Sequence, residues 1–195
     1  MIIGITGGIG SGKSVVSRIL TSMGYDVYDT DRNAKVIMDA SESIKADLSY
    51  NFGETIIVDG NIDRVALAKI VFGEEEKLAT LNRIVHSHVI EDILKWEKQL
   101  ERDIVFVETA ILYESGLDKH VDMVWQVDAP VDKRIIRVMK RNGLSKADVE
   151  KRIYSQQRTI SSHVHPHVYT IINDDSICPL LPQILQHLDK LSNRL

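Results

Sequence analysis

The sequence is short of the features that mark special compartments or partners. Cys178 is the only cysteine in 195 residues, so no internal disulfide can form. No basic segment followed by a long apolar run opens the chain, so neither a secretory leader nor a membrane anchor is read there, and the cytoplasm is the expected compartment. Positive charge is not in excess: the formal net charge is -4, which gives no long-range attraction to nucleic acid and leaves room only for a local basic pocket. Internal repeats and low-complexity tracts are also missing. What remains is an ordinary globular composition, with 44% hydrophobic and 27% charged residues, far from the range in which chains stay unfolded.

The apolar patterning alternates between strand and helix. Residues 1–6 (MIIGIT) form a β-branched run stopped by glycines, the pattern of a buried parallel strand. Val15, Val16, Ile19, Leu20 and Met23 follow at helical spacing, with Gly24 at the capping position, and residues 25–29 (YDVYD) read as a second strand. From about 32 to 102 the pattern is helical, apart from a weak strand candidate at 55–58. Apolar strands return at 104–107 and 124–127, and residues 110–113 (AILY) are expected to join the same sheet. A basic segment from 133 to 157 reads as helix, Asn142-Gly143 turn and helix; residues 168–172 give a last strand and residues 180–191 a final amphipathic helix.

Between the first strand and first helix stands Gly7-Gly8-Ile9-Gly10-Ser11-Gly12-Lys13-Ser14, which satisfies G-x-x-x-x-G-K-[ST] in the required strand-to-helix context. Glycines let backbone N–H groups crowd around phosphates at a positive helix N-terminus. Lys13 has the reach to the β- and γ-phosphates, and the Ser14 hydroxyl suits Mg²⁺ bound with ATP.

An Asn-Lys-x-Asp guanine-reading tetrad is absent, which argues against a GTPase switch. Phosphoryl transfer to an alcohol needs a carboxylate beside the acceptor hydroxyl, and Asp31, at the carboxyl end of the second strand, suits that task. Asp29 reads either as a partner of Asp31 or as a helix cap. Glu108, ending the strand at 104–107, reads either as a metal-side acid or as a structural carboxylate.

Residues 4–14 and Asp29-Thr30-Asp31 resemble the dephospho-coenzyme A kinase family. The likeness continues through Asp63-Arg64, Leu67-Ala68, Val71-Phe72, Leu81-Asn82, Ile84 and His86 to Val127-Asp128, Pro130, Arg137, Arg141, Arg152-Ile153, Gln156 and Asn173, in family order over nearly the whole chain. The resemblance implies an α/β, three-layer P-loop nucleoside-triphosphate hydrolase fold: a parallel sheet with helices on both faces, a helical substrate-binding insertion and a lid. It implies a single domain over 1–195, with core at about 1–31, 103–138 and 166–195, insertion at about 32–102 and lid at about 139–165. It further implies ATP and dephospho-coenzyme A as ligands, with Asp31, Lys13 and Arg141 catalytic. ATP would be held by Gly8, Ile9, Gly10, Ser11, Gly12, Lys13, Ser14, Val15, Arg141 and Arg152; the acceptor by Asp31, Arg64 and His86; the metal by Ser14. The chain departs from the family pattern at Ser87, Ala110, Arg134, where glutamine is common, and Val168.

His163, His165 and His167 alternate, but no cysteine joins them, and they read as loop histidines rather than a metal site. Trp96, Trp125 and Cys178 read as packing residues. Two alternatives stand beside the main reading: another P-loop kinase acting on a small molecule or nucleotide, and a nucleotide-dependent regulatory module.

Overall fold

Strand β1 (Ile2–Thr6) is buried along its whole length because both faces of its sheet are covered, which is why its sequence is continuously apolar rather than alternating. The structure, a computed structural model, describes residues 1–160, 165–174 and 180–192, with the side chains of 157–160 left aside. Cys178 and His163 lie outside the described residues. The chain divides into two compact units, one formed by Met1–Tyr28 with Glu101–Leu195 and the other by Asp29–Leu100.

In the first unit, β1 leads through the glycine loop into helix α1 (Lys13–Ser22) and then strand β2 (Val27–Asp29). Later come β5 (Val105–Glu108), β6 (Met123–Asp128), helix α6 (Val131–Asn142), helix α7 (Lys146–Ile160), β7 (Val168–Ile172) and helix α8 (Leu180–Ser192). The five strands form one sheet in the order β2-β5-β1-β6-β7. Strand β1 is parallel to β5 and β6, with Ile3 opposite Phe106 on one side and Met123 on the other, and β6 is parallel to β7. Alternate residues Ile3, Ile5, Phe106, Trp125 and Ile171 pack against Val16 and Leu20 of α1 and Ile184, Leu188 and Leu191 of α8. At roughly 25 cal/mol per Å² of apolar area, fully burying each such aliphatic or phenyl side chain contributes about 1.5–3 kcal/mol.

Residues 110–113 do not join the sheet; they form a turn after β5, with Leu112 and Tyr113 buried. An apolar run of four is compatible with any buried backbone, and here Leu112 packs beside Gly4, where an added Cβ would lie 3.0 Å from its Cδ1. Trp125 is fully buried in the core, as a packing residue, with its ring centroid 5.1 Å from that of Phe106. Trp96 lies half-buried on the long helix of the second unit.

The second unit holds helices α2 (Thr30–Ala40), α3 (Glu42–Phe52), α4 (Arg64–Val71) and α5 (Glu75–Leu100). A short hairpin of β3 (Ile57–Val58) and β4 (Asn61–Ile62) replaces the weak strand expected at 55–58. Its two-residue turn is Asp59-Gly60, both at positive φ (51° and 75°), the backbone that Asp-Gly favours in hairpins. Ile44, Leu48, Ile56, Ile62, Leu67, Val71 and Ile84 form a separate core. Asp63 caps α4 by accepting the N–H groups of Val65 and Ala66 at 2.9 and 3.0 Å. No described helix is long and apolar enough to cross a membrane.

A buried histidine gives the first unit a pH dependence. His187 stacks on Tyr169, with ring centroids 4.8 Å apart, and Lys190 stands over the same tyrosine. Burial, and secondarily the Lys190 charge, push the His187 pKa below its ordinary 6.5, with the nearby Thr170 backbone opposing the shift. The folded state therefore holds it neutral, and below about pH 6.5 the unfolded chain binds the extra proton. Its contribution to stability is present above pH 6.5 and is lost as pH falls toward the depressed folded value. Urea midpoints are expected to fall between pH 7 and 5.5, and His187→Phe to flatten that slope; an unchanged slope would contradict the assignment.

Candidate active site

The loop between β1 and α1 is shaped by its neighbours as much as by its own glycines. Gly12 sits at φ 102°, in the left-handed region, and a Cβ there would meet Asn173 Nδ2 at 2.0 Å. That amide donates to the Ser11 carbonyl at 2.8 Å, while the Asn173 backbone N–H reaches the Asp128 carbonyl at the end of β6. Gly8 faces the guanidinium of Arg134, whose Nη2 would lie 2.0 Å from an added Cβ. Both glycines are required by close approach from elements more than a hundred residues away in sequence.

Helices α6 and α7 hold the loop through Ile9. The Arg134 Nε donates to the Ile9 carbonyl at 2.9 Å, and the Ile9 N–H donates to Gln156 Oε1 at 2.7 Å. The Ile9 side chain packs against the cluster of Ile135, Val138, Val149 and Ile153 between the two helices. Arg137 completes the brace, donating to the Gly10 carbonyl at 3.2 Å and the Asn173 carbonyl at 2.9 Å. With the carbonyls of residues 9–11 pulled toward α6 and Asn173, the loop's remaining N–H groups are left for other acceptors. Those of Gly10, Gly12 and Ser14 have none among the described residues, whereas Ser11 donates to Gly8 and Val15 to Gly12. Unpaired amides beside the N-terminus of α1 are the physical basis of an anion site.

Two side chains add the charge and oxygen chemistry. Lys13 Nζ donates to the Gly7 carbonyl at 2.6 Å and lies 3.5 Å from that of Gly8, so its ammonium is held over the loop. Ser14 Oγ donates to Glu108 Oε1 at 2.8 Å, which puts the serine hydroxyl and the carboxylate ending β5 side by side. Ser11 is fully buried and its Oγ has no hydrogen-bond partner among the described residues.

The other residues singled out from the sequence lie as follows. Asp29 caps α2, accepting the Arg32 N–H at 3.0 Å, while Asp31 is exposed in the first turn of that helix. Arg141 is exposed near the end of α6 and donates to Asn142 Oδ1; Arg152 is exposed on α7. Arg64 pairs with Asp39 at 2.8 Å, both well exposed. Burial pushes His86, half-buried on α5, below the ordinary histidine pKa. A cavity of about 280 Å³ between α2 and α5 is lined by Val36, Ile37, His88 and Lys95 among others, but by neither Arg64 nor His86. His165 bonds the His167 and Val121 backbones, a loop-fastening role.

Sequence alone marks none of Arg134, Arg137, Gln156 and Asn173 as a site residue, and it leaves Glu108 open between a metal-side and a structural role. One local signal was available for the first: Arg134 is a charged residue on the buried face of α6, beside Ile135 and Val138.

A glycine loop joining the central strand of a β2-β5-β1-β6-β7 sheet to a helix, with Lys13 over it and Ser14 against a strand-end acid, is the arrangement of a P-loop nucleotide-binding protein. Comparison with known proteins narrows the class. The family model for dephospho-CoA kinase (CoaE) matches residues 1–178, and the chain belongs to that family. It is 37% identical over 192 residues to a dephospho-CoA kinase of Porphyromonas gingivalis, covering 98% of this chain and 95% of that one. It is 39% identical over 193 residues to one of Carboxydothermus hydrogenoformans, covering 97% and 93%. The solved dephospho-CoA kinase of Campylobacter jejuni shares the fold, with a TM-score of 0.68 at 23% identity over 98% of this chain and 97% of that one.

Proposed function

We propose that the chain transfers the terminal phosphoryl group of Mg·ATP to the ribose 3′-hydroxyl of dephospho-CoA, giving CoA and ADP. The observation that carries this reading is the braced loop, in which outward-held carbonyls leave the Gly10, Gly12 and Ser14 amides for phosphate oxygens beneath the Lys13 ammonium. Lys13 offsets charge on the β- and γ-oxygens and orients the transferring group. Asp31 orients the acceptor hydroxyl and takes its proton late in transfer, when the bond to phosphorus has largely formed. Arg141 and Arg152 approach the phosphates from the exposed sides of α6 and α7. Arg64 and His86 contribute to holding the acceptor.

The residues present suit a magnesium ion that arrives with the nucleotide. Ser14 Oγ and Glu108 Oε1 are hard oxygen donors held 2.8 Å apart, and no cluster of three or more metal-binding side chains occurs among the described residues. That matches an ion held by one or two protein groups plus waters and phosphate oxygens. When bound, the ion supplies charge neutralisation across the β- and γ-oxygens. Glu108→Gln is expected to raise the Mg²⁺ concentration for half-maximal activity about tenfold, with metal-free ATP affinity unchanged; an unaltered Mg²⁺ requirement would return Glu108 to a structural role.

ADP release measured across acceptors tests the reading as a whole. Dephospho-CoA is expected to give strong turnover, with nucleosides and nucleotides giving little. Equal ADP release with no acceptor would instead favour a nucleotide-dependent regulatory module.

A further inference from the structure

Arg134 is 5% exposed, yet its environment does little to compensate its charge. One of its five N–H groups donates to the Ile9 carbonyl, and the two amino ends of the guanidinium lie against the backbone of Gly8. No described carboxylate forms an ion pair with it. Asp128 is the acid whose field reaches it, and one oxygen of that carboxylate is already engaged with the Ala129 N–H. A guanidinium taken out of water without an ionic partner is destabilising, and burial pushes its pKa below the usual value. Packing alone does not demand it: a neutral side chain of similar length could reach the same carbonyl. A buried charge of this kind is matched to an opposite charge that enters later, and the element it touches is the phosphate loop itself.

We propose that Arg134 is a positioning residue for nucleotide binding, holding the Ile9 carbonyl away from the phosphates while its buried charge raises the loop's affinity for a polyphosphate chain. Arg134 thereby acts beside Lys13: the lysine reaches over the loop, and the arginine lies behind Gly8 and Ile9. Gly8 is the residue that lets it come so close. The inference rests on the proposed nucleotide site, and its test separates the two.

Arg134→Gln keeps a donor for the Ile9 carbonyl and removes the charge; Arg134→Lys keeps the charge and loses the planar fork. Inhibition constants against ATP are measured for inorganic tripolyphosphate and for adenosine, together with kcat, KM for ATP and the nucleotide-free Tm. For Arg134→Gln the tripolyphosphate constant and the KM for ATP are expected to weaken about tenfold, with the adenosine constant within about twofold. The lysine variant should recover most of that loss. The nucleotide-free Tm of the glutamine variant should equal or exceed that of the wild type, since an uncompensated buried charge has been removed. Equal losses for adenosine and tripolyphosphate, no loss for either, or a Tm lowered by more than about 3 °C would overturn the assignment in favour of a structural prop. If wild-type protein binds neither ATP nor tripolyphosphate, the nucleotide reading fails as well; if it binds both and the glutamine variant binds them equally, only the role of Arg134 fails.

Discussion

Asp31→Asn is expected to lower kcat by about a thousandfold while ATP affinity stays within about twofold, because asparagine keeps the shape of the side chain but cannot accept a proton. The expectation follows from a division of labour between neighbouring acids. Asp29 is occupied as the cap of α2, accepting the Arg32 N–H, whereas Asp31 stands exposed in the first turn of the same helix. Asp29→Asn should be mild by comparison, since asparagine caps helices about as well as aspartate. Single-turnover phosphoryl transfer with saturating ATP separates the two variants; similar losses for both would mean that the site depends on the start of α2 as a whole rather than on the Asp31 carboxylate.

Lys13→Ala is expected to damage both binding and transfer, lowering kcat/KM for ATP by about a thousandfold or more. The ammonium is held over the loop by the Gly7 carbonyl at 2.6 Å, so its position is set before any ligand arrives. Removing it takes away the ammonium over the loop while leaving the braces from Arg134, Arg137 and Asn173 in place. The fold should therefore survive, with a nucleotide-free Tm close to that of the wild type. Lys13→Arg is expected to recover little, because a planar guanidinium cannot occupy the compact position of an ammonium inside a tight turn. Calorimetric titration with ATP and steady-state kinetics together check this: retained ATP affinity in Lys13→Ala would remove the lysine from the site.

The parts of this molecule that were legible in sequence are those written in local pattern. The strand, glycine loop and helix of residues 2–22 form one contiguous signal, and β7 and the helix pair α6 and α7 follow their apolar periodicities. Residues 110–113 mislead because four apolar residues in a row do not fix backbone conformation: the segment is a turn in which Leu112 and Tyr113 are buried while Ile111 is exposed. The brace around the loop was not legible for a different reason. Arg134 meets Ile9 across 125 positions, Gln156 meets it across 147, and Asn173 meets Ser11 across 162. No periodicity encodes such a contact; it exists only once β6 and β7 lie beside β1. The motif accounts for the loop's glycines by phosphate approach alone, whereas two of them, Gly8 and Gly12, are also required by side chains arriving from behind. Glu108 meets Ser14 only because β5 lies next to β1, a contact across 94 positions that no local pattern announces.

That brace holds the loop in one shape from behind, so in the proposed reading it is a preorganised receptor rather than a flexible glycine turn. Lys13, Ser14 and the unpaired amides would then meet the nucleotide, and Arg134, Arg137, Gln156 and Asn173 would position them. Variants of the second set should shift nucleotide binding with little effect on acceptor affinity.

Transfer of label from ATP carrying ³²P in its γ position offers the most direct measurement. With dephospho-CoA present, the label is expected in the 3′-phosphate of the CoA formed, in one-to-one ratio with ADP, and Lys13→Ala should abolish its appearance. Label released as inorganic phosphate at the same rate with and without dephospho-CoA, or label transfer undiminished in Lys13→Ala, would contradict the account.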